Sequence, residues 1–161
     1  LFRHIILIFL KFFQMVRLFF FFYLFSFFSV CCFSQIEITW ETLADVEFTD
    51  TYIEEEDGYY YYPHFGMSVR ELAGKEVVLR GFILSFSAVE EGYYILSKNP
   101  FASCFFCGSG GPETVVELNL KSKKDYFEMD EVVTMKGVLR LNSDDIYQCN
   151  YILDKAQVYS R

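Results

Sequence analysis

The sequence predicts a mainly β domain, a small five-stranded OB-like Greek-key barrel with one short helix, preceded by a hydrophobic N-terminal helix. Three observations lead to this fold class. Beyond residue 70, five segments are rich in β-branched and aromatic residues, long loops separate them, and two of them carry a glycine after a pair of valines. A small closed barrel needs bends at its corners. A partly open barrel of the oligonucleotide/oligosaccharide-binding type fits best, ahead of a small β-sandwich.

The elements are predicted in chain order from alternation and residue type. Segment 36–48 is interpreted as a short strand or a turn of helix. The acidic run Glu54–Asp57 is typical of a solvated loop, and the tyrosines Tyr59–Tyr62 are expected to edge a strand or cover the core. Ser68 and Glu71 stand at capping-box spacing, which predicts the single helical turn. The five barrel strands are predicted at 77–84, 93–96, 114–120, 132–141 and 147–159.

Two features of these strands matter for the packing. Gly81 and Gly137 each follow a charged residue, two valines and a basic residue, which indicates long strands bent at a glycine. Segment 114–120 alternates, with Val116 on one face and Glu117 on the other. This alternation predicts a half-buried strand.

Residues 1–34 differ in composition from the rest of the chain. They contain no Asp or Glu, and all 22 acidic residues follow Ser34. Met15–Arg17 and the apolar run 18–33 match the charged and hydrophobic regions of a secretory signal, with cleavage predicted after Ser34. An uncleaved membrane anchor over residues 5–33 is the alternative. Residues 1–14 are interpreted as a wrongly translated leader.

This segment predicts the compartment. The domain at 35–161 is expected in the periplasm or cell envelope, exported by the N-terminal signal, with inner-membrane anchoring if the segment is retained. Contact with the membrane is expected only through that segment. Lipidation is the third choice, because Val30 rather than a small residue precedes Cys31.

The charge of the exported part argues against nucleic-acid partners. Without Arg3, Lys11 and Arg17, 11 of the 14 basic residues remain against 22 acidic ones, a net charge of about −11. Binding to phosphate backbones depends on Lys and Arg that displace counterions. The predicted partners are therefore an envelope protein or a metal-transport protein, and no nucleic acid.

The segment richest in candidate chemistry is the loop 100–113. Cys104 and Cys107 form a Cys-x-x-Cys pair, which lets two thiolates reach one metal ion from a tight turn. A tetrahedral site needs about four ligands, so His64, Cys149 or Glu113 would have to complete it. The leading hypothesis is a metal-binding or metal-handling module for zinc or another transition metal.

Two further hypotheses use the same residues differently. The pair could be a thiol-disulfide redox couple, with Cys104 as nucleophile and Cys107 as resolving thiol. The protein could instead be a non-catalytic protein- or glycan-binding module, in which the cysteines brace a loop and tyrosines such as Tyr62 supply the contact surface.

Other catalytic chemistry has little support. Gly108–Gly111 is not followed by the Gly-Lys-Ser/Thr of a phosphate-binding loop, so no nucleotide cofactor is predicted. His64 is the single histidine after residue 34, which leaves few arrangements for a catalytic triad. The chain is thus expected to be non-enzymatic.

Five short motifs are distributed over residues 36–159: Trp40-Glu41-Thr42-Leu43, Tyr62-Pro63-x-Phe65, Leu72-x-Gly74-Lys75-x-Val77, Gly81-Phe82-Ile83 and Ser103-Cys104-Phe105-Phe106-Cys107-Gly108-x-Gly110-Gly111-Pro112-Glu113. Together they resemble an uncharacterised family of exported Gram-negative envelope proteins. The resemblance implies a small barrel in the envelope, lipidated in some relatives, with no settled activity. A loosely similar branch carries Cys-x-His in this loop, which would fit metal binding.

Overall fold

The computed structural model describes residues 13–17, 35–86 and 92–160. The chain divides into two compact units, Leu1–Phe33 and Ser34–Arg161. Apart from the helical residues 13–17, the predicted signal or anchor segment and its hydrophobic helix lie outside the described residues. Within the described ranges, no helix combines the length and the apolar character needed to cross a bilayer.

The second unit is built almost entirely from strands. Its helical turns are α1 (Trp40–Leu43) and α2 (Met67–Arg70), with short 3-10 turns in the loops. Its strands are β1 (Ile36–Glu37), β2 (Val46–Ile53), β3 (Gly58–Phe65), β4 (Glu76–Ser85), β5 (Tyr94–Ser97), β6 (Val115–Leu120), β7 (Val132–Leu141) and β8 (Tyr151–Ser160).

Five of these strands close into the predicted barrel. Neighbouring strands follow the order β4-β5-β6-β8-β7, and β7 pairs back with β4. The pairing of β6 with β8 is parallel, whereas the other barrel pairs are antiparallel. A five-stranded barrel in which the third and fifth strands run parallel is an OB-type Greek key. The structure thus confirms the predicted fold and all five predicted barrel strands.

Alternate residues of the barrel strands fill its interior. Ile83, Leu96 and Val116 belong to one large buried cluster, together with Tyr151 at the start of β8. The Tyr151 hydroxyl donates to the backbone carbonyl of Leu43 at 2.7 Å, so α1 is held against the barrel by a buried hydrogen bond. The bond gives a partner to the one polar atom of the fully buried Tyr151 side chain.

In the described part of the second unit, α1 lies in segment 36–48, for which the sequence leaves a strand or a turn of helix open, and α2 is the predicted helical turn. The helix at α2 begins one residue earlier than its predicted capping box, with Gly66 at its N-cap. The Ser68 hydroxyl donates instead to the Asp45 carboxylate, which also accepts the Ser68 backbone N–H. The cap of α2 therefore comes from a residue distant in sequence, a contact that local spacing does not reveal.

The sequence also predicts no separate hairpin, yet β2 and β3 form a two-stranded antiparallel sheet of their own. Their connection, Glu54–Glu56, is exposed, as expected for an acidic loop. Tyr59–Tyr62 lie within β3, in agreement with the expected strand edge. The sequence does not predict the partner strand β2, because most of its side chains are exposed and apolar and polar residues alternate little along it.

The glycines expected at strand bends lie where neighbouring backbones approach closely. A Cβ atom at Gly81 would lie 2.6 Å from the Ser97 carbonyl and 3.0 Å from the Trp40 ring. The Trp40 indole N–H donates to the Arg80 carbonyl at 2.8 Å, which fixes the ring over this position. At Gly137, a Cβ atom would lie 2.9 Å from the Asp154 carbonyl of β8. Both positions exclude a side chain because the strands pack tightly there.

We expect Gly81→Ala to lower the free energy of unfolding by about 1–3 kcal/mol, because the added methyl group overpacks the contact with β5 and Trp40. Gly58→Ala is the matched control, since its Cβ would meet its nearest neighbour at an ordinary 3.6 Å. Urea denaturation of both variants measures the difference. Equal stability of the two would contradict the close-approach explanation.

Candidate functional site

The connection between β5 and β6, residues 98–114, folds back over the outside of the barrel; we call it the Cys loop. Leu84, Ile95 and Val115 point away from the barrel interior and form a second apolar cluster with Cys104 of this loop. Cys104 is fully buried in that cluster. The Cys loop is therefore part of the hydrophobic packing rather than a free surface loop.

This second cluster corrects the predicted burial of β6. Val115, Val116, Glu117 and Leu118 are all buried, whereas the alternation predicts burial of one face only. The outer face of β6 is covered by the Cys loop and by the residues around Cys149, a layer that the alternation of a single strand cannot predict. Glu117 is consequently a buried carboxyl group outside the barrel.

The two cysteines of the loop lie close together but in different environments. Their sulfur atoms are 3.9 Å apart, and the Cys107 thiol donates to the Phe101 carbonyl at 3.0 Å. The backbone N–H of Cys107 donates to the Cys104 carbonyl at 3.0 Å, so a tight turn sets the approach. Cys104 is buried and Cys107 is exposed. An outside reagent therefore reaches Cys107 and not Cys104, the reverse of the roles expected from the sequence.

The three other predicted metal ligands lie in different surroundings: His64 on β3, Glu113 in the Cys loop, and Cys149 against the apolar cluster that contains Cys104. His64 is exposed on β3, where its Nε2 atom lies 2.9 Å from the Thr49 hydroxyl. Glu113 accepts a hydrogen bond from the Gly111 N–H at 3.3 Å. Among the described residues, no group of three or more His, Cys, Asp or Glu side chains is placed to hold a metal ion. The transition-metal centre stays a prediction, with two of its sulfur donors adjacent.

Cys149, the third cysteine of the described domain, packs against the outer cluster. Burial, with the nearby Glu117 carboxylate, raises the pKa of the Cys149 thiol to about 12. The pKa of Cys107 is also raised, by partial desolvation in the loop and by the neighbouring Cys104 thiol. For both Cys107 and Cys149 the shift in pKa is opposite to the lowering that activates a catalytic cysteine at neutral pH.

Alkylation of the folded protein by iodoacetamide should modify Cys107 while sparing Cys104 and Cys149. The rate should rise steeply as the pH increases beyond the ordinary thiol pKa of 9.0, because the thiolate is the reactive species and its pKa is raised. Peptide mapping by mass spectrometry measures the modification site by site. Equal labelling of Cys104 and Cys107 before unfolding would contradict the burial of Cys104.

A concave surface lies beside the Cys loop, and we call it the aromatic groove. It has a volume of about 310 Å³. Side chains from five parts of the domain meet there: strand β3, the residue before β5, the Cys loop, the start of β6 and the loop 142–150 between β7 and β8. The lining residues are Tyr59, Tyr60, Tyr61, Tyr93, Phe105, Phe106, Pro112, Val115, Ile146, Tyr147, Gln148, Cys149 and Asn150.

Polar side chains hold the walls of the aromatic groove in place. Asn142 folds the loop 142–150, because its side-chain amide donates to the carbonyls of Asp145, Gln148 and Cys149. Asn150 donates to the Tyr60 hydroxyl at 2.9 Å, and the Tyr147 hydroxyl donates to the Glu56 carboxylate at 2.6 Å. These two bonds join the β2–β3 hairpin to the loop after β7.

The wall formed by the Cys loop consists of aromatic rings that pack edge to face. Phe106 contacts both Phe86 and Phe105 edge to face, with ring centroids 5.2 and 5.3 Å apart. Phe105 also packs against the outer cluster that contains Cys104. Phe106 is 49% exposed and Tyr59 and Tyr61 are 77% and 57% exposed, so the groove presents ring surface to solvent.

The position of the groove matches the usual binding region of the fold. OB folds bind oligonucleotides and oligosaccharides on the face of their second and third strands, between the loops that follow the first and fourth strands. Here those strands are β5 and β6, and the loop after the fourth strand is 142–150. Val115 on β6 and Gln148 in that loop both line the groove.

Comparisons with known proteins agree with this architecture. No family model and no curated protein matches the chain. A crystal structure of a DUF3299 family protein from Pseudomonas aeruginosa matches it with a TM-score of 0.50 and 17% sequence identity, over 80% of this chain and 98% of that one. The likeness is one of fold. The envelope location stays a prediction, and so does the idea that the Cys loop is a feature shared with a family of envelope proteins.

The structure adds groove residues that the sequence does not single out. Of the tyrosine run, Tyr62 contacts the His64 ring, at 5.2 Å between centroids, whereas its three predecessors line the groove. Tyr147, Gln148 and Asn150 lie in a segment interpreted from sequence as part of the last strand. No local signal marks them, because their role depends on the β2–β3 hairpin folding beside them.

Glu117 lies beneath the groove and accepts the backbone N–H of Cys149 at 3.2 Å. Burial raises the pKa of this carboxyl group, against the opposing effects of the Cys149 N–H and of Arg140. A raised pKa in the folded state means that the ionised form costs stability, so the cost appears as the pH rises above the carboxyl pKa of the unfolded chain.

Glu117→Gln keeps an oxygen acceptor for the Cys149 N–H and removes the buried charge. We expect Glu117→Gln to raise the free energy of unfolding, relative to the unmodified protein, by more near pH 7 than below about pH 4, where the carboxyl group is protonated in both states. Denaturation at the two pH values measures it. Glu47→Gln on the exposed side of β2 is the control; a pH dependence as large as that of Glu117→Gln would contradict the assignment.

Proposed function

We propose that the protein is a non-catalytic binding module that holds a neutral oligosaccharide in the aromatic groove. The observation that carries the proposal is the lining itself, in which more than half of the residues are aromatic and amide and hydroxyl groups supply the polar contacts. Among the described residues that line the groove, none is charged. Aromatic faces bind the apolar faces of sugar rings, and amides and hydroxyls bind the sugar hydroxyls at their edges.

The charge of the groove lining favours one of the two ligand classes typical of this fold. OB folds bind oligonucleotides or oligosaccharides in this region. An oligonucleotide needs cationic side chains for its phosphates, and the groove lining offers none among the residues described. The carboxylate of Glu56 at the rim adds a negative charge near Tyr147. An uncharged saccharide is the ligand that avoids both problems.

The lining gives no support for turnover. Glu117 beside the groove is buried, and Cys149 in its lining has a pKa of about 12, which keeps it protonated at neutral pH. In the exported setting predicted from the N-terminus, envelope glycans are the natural source of such a ligand.

Titration of the full-length protein with four neutral saccharides, chitotetraose, maltohexaose, cellohexaose and xylohexaose, should show binding of at least one of them, with a dissociation constant below about 1 mM. Phe106→Ser and Tyr61→Ser should each weaken that binding about tenfold, since exposed rings at the centre of a binding surface contribute about 1–2 kcal/mol. Isothermal titration calorimetry measures both effects.

Tyr126→Ser is the matched control, because Tyr126 is 70% exposed and does not line the groove. Its affinity should equal that of the unmodified protein. No binding of any of the four saccharides, or an equal loss in the Tyr126 variant, would remove the saccharide assignment. Tighter binding of a single-stranded oligonucleotide than of all four would replace it with the other ligand class of the fold.

A further inference from the structure

We infer that Cys104 and Cys107 form a reversible disulfide in which the exposed Cys107 exchanges with an external disulfide and the buried Cys104 resolves the intermediate, and that this bond fixes the Phe105–Phe106 wall of the aromatic groove. The substrate class is a disulfide-bonded thiol compound, such as oxidised glutathione or the disulfide of another protein. The second part rests on the proposed function of the groove, whereas the first does not.

The geometry of the pair supports bond formation within the loop. The sulfur atoms are 3.9 Å apart, against about 2.05 Å in a disulfide, so a small displacement of one side chain joins them. Cys104 is fixed by the outer cluster, so Cys107 is the residue that moves. Its present partner, the Phe101 carbonyl, lies in a 3-10 turn with exposed side chains and can be solvated when the thiol leaves.

The reaction is a two-step exchange that balances without a metal or a cofactor. The Cys107 thiolate attacks one sulfur of the external disulfide, forms a mixed disulfide and releases one thiol. The Cys104 thiolate then attacks Cys107 Sγ, which forms the Cys104–Cys107 bond and releases the second thiol. The protein loses two hydrogen atoms, and the external disulfide is reduced to two thiols that carry them.

The burial of Cys104 determines which thiol attacks the external disulfide and which resolves the intermediate. An outside disulfide meets Cys107 alone, because Cys104 has no exposed surface. Once the mixed disulfide forms, Cys104 is the thiol already in contact with it. Cys149 is half-buried beside Glu117 and is not in the same turn as the pair. The assignment of attacking and resolving thiols therefore follows from exposure and distance.

The bond acts on the groove through the two residues that it encloses. Phe105 and Phe106 are the residues between the cysteines, and both line the groove. Closing the ring removes backbone freedom from these two positions, which lowers the ordering cost of ligand binding. The oxidised form should therefore bind the saccharide at least threefold more tightly than the dithiol form.

The test of the exchange needs no groove ligand. The full-length chain, with Cys31 and Cys32 replaced by Ser, is incubated with oxidised glutathione and analysed by mass spectrometry and peptide mapping. The unmodified pair should lose two hydrogen atoms and yield a linked Cys104–Cys107 peptide. Cys104→Ala should accumulate a stable glutathione adduct at Cys107, and Cys107→Ser should give neither product. Cys149→Ser is the control and should still form the bond.

An adduct at Cys104 in the Cys107→Ser variant, or loss of the linked peptide in Cys149→Ser, would overturn the assignment of roles. Persistence of free thiols in the unmodified pair would overturn the exchange itself. Circular dichroism of Cys104→Ala shows whether that buried substitution keeps the fold, and Cys107→Ser, at an exposed position, tests the exchange independently of it.

The effect on the groove is tested separately, by calorimetry of the oxidised and reduced protein with whichever of the four saccharides binds. Tighter binding of the oxidised form, absent in Cys107→Ser, supports the coupling. Equal affinities with an intact exchange reaction would overturn the coupling alone. Absence of saccharide binding with an intact exchange would count against the proposed function and leave the disulfide assignment standing.

Discussion

The packing of the Cys loop against the outside of the barrel is the constraint on which the rest of this structure depends. Cys104 joins Leu84, Ile95 and Val115 in an apolar cluster on the outer face of β4, β5 and β6. Burial of a side chain of this kind contributes about 1.5–3 kcal/mol for each large apolar residue removed from water. Because this cluster fixes the loop, Phe105 and Phe106 become a wall of the aromatic groove and Cys107 is presented to solvent.

The buried polar side chains beside the aromatic groove all have hydrogen-bond partners. In the part of the chain that the structure describes, no buried side-chain nitrogen or oxygen lacks a hydrogen-bond partner. Asn142 and Asn150 are buried in the loop after β7, where they bind backbone carbonyls and the Tyr60 hydroxyl. Buried amides that are fully satisfied rigidify a loop. The groove is thus a preformed feature of the fold.

Much of the fold follows from local sequence, and the groove does not. The valines and Gly137 predict strand β7 at 132–141, and the same pattern around Gly81 predicts β4. Both predictions succeed because the preference of β-branched residues for strands is a local property. The burial of Glu117 does not follow from local sequence. The alternation of segment 114–120 predicts that its side chain is exposed, yet the layer outside β6 buries it. Likewise, Tyr147 gains its role from the Glu56 carboxylate of a hairpin 91 residues away in sequence. Contacts over that separation depend on tertiary packing.

The aromatic groove lies against the covered face of the barrel, and we propose that a neutral oligosaccharide binds in it. Intermolecular nuclear Overhauser effects between a bound oligosaccharide and the methyl groups of Val115, at the floor of the groove, test this arrangement most directly. We predict cross-peaks from the sugar ring protons to Val115 and to the Phe106 ring. Cross-peaks confined to residues outside the groove, such as Tyr126 or Tyr159, would contradict it.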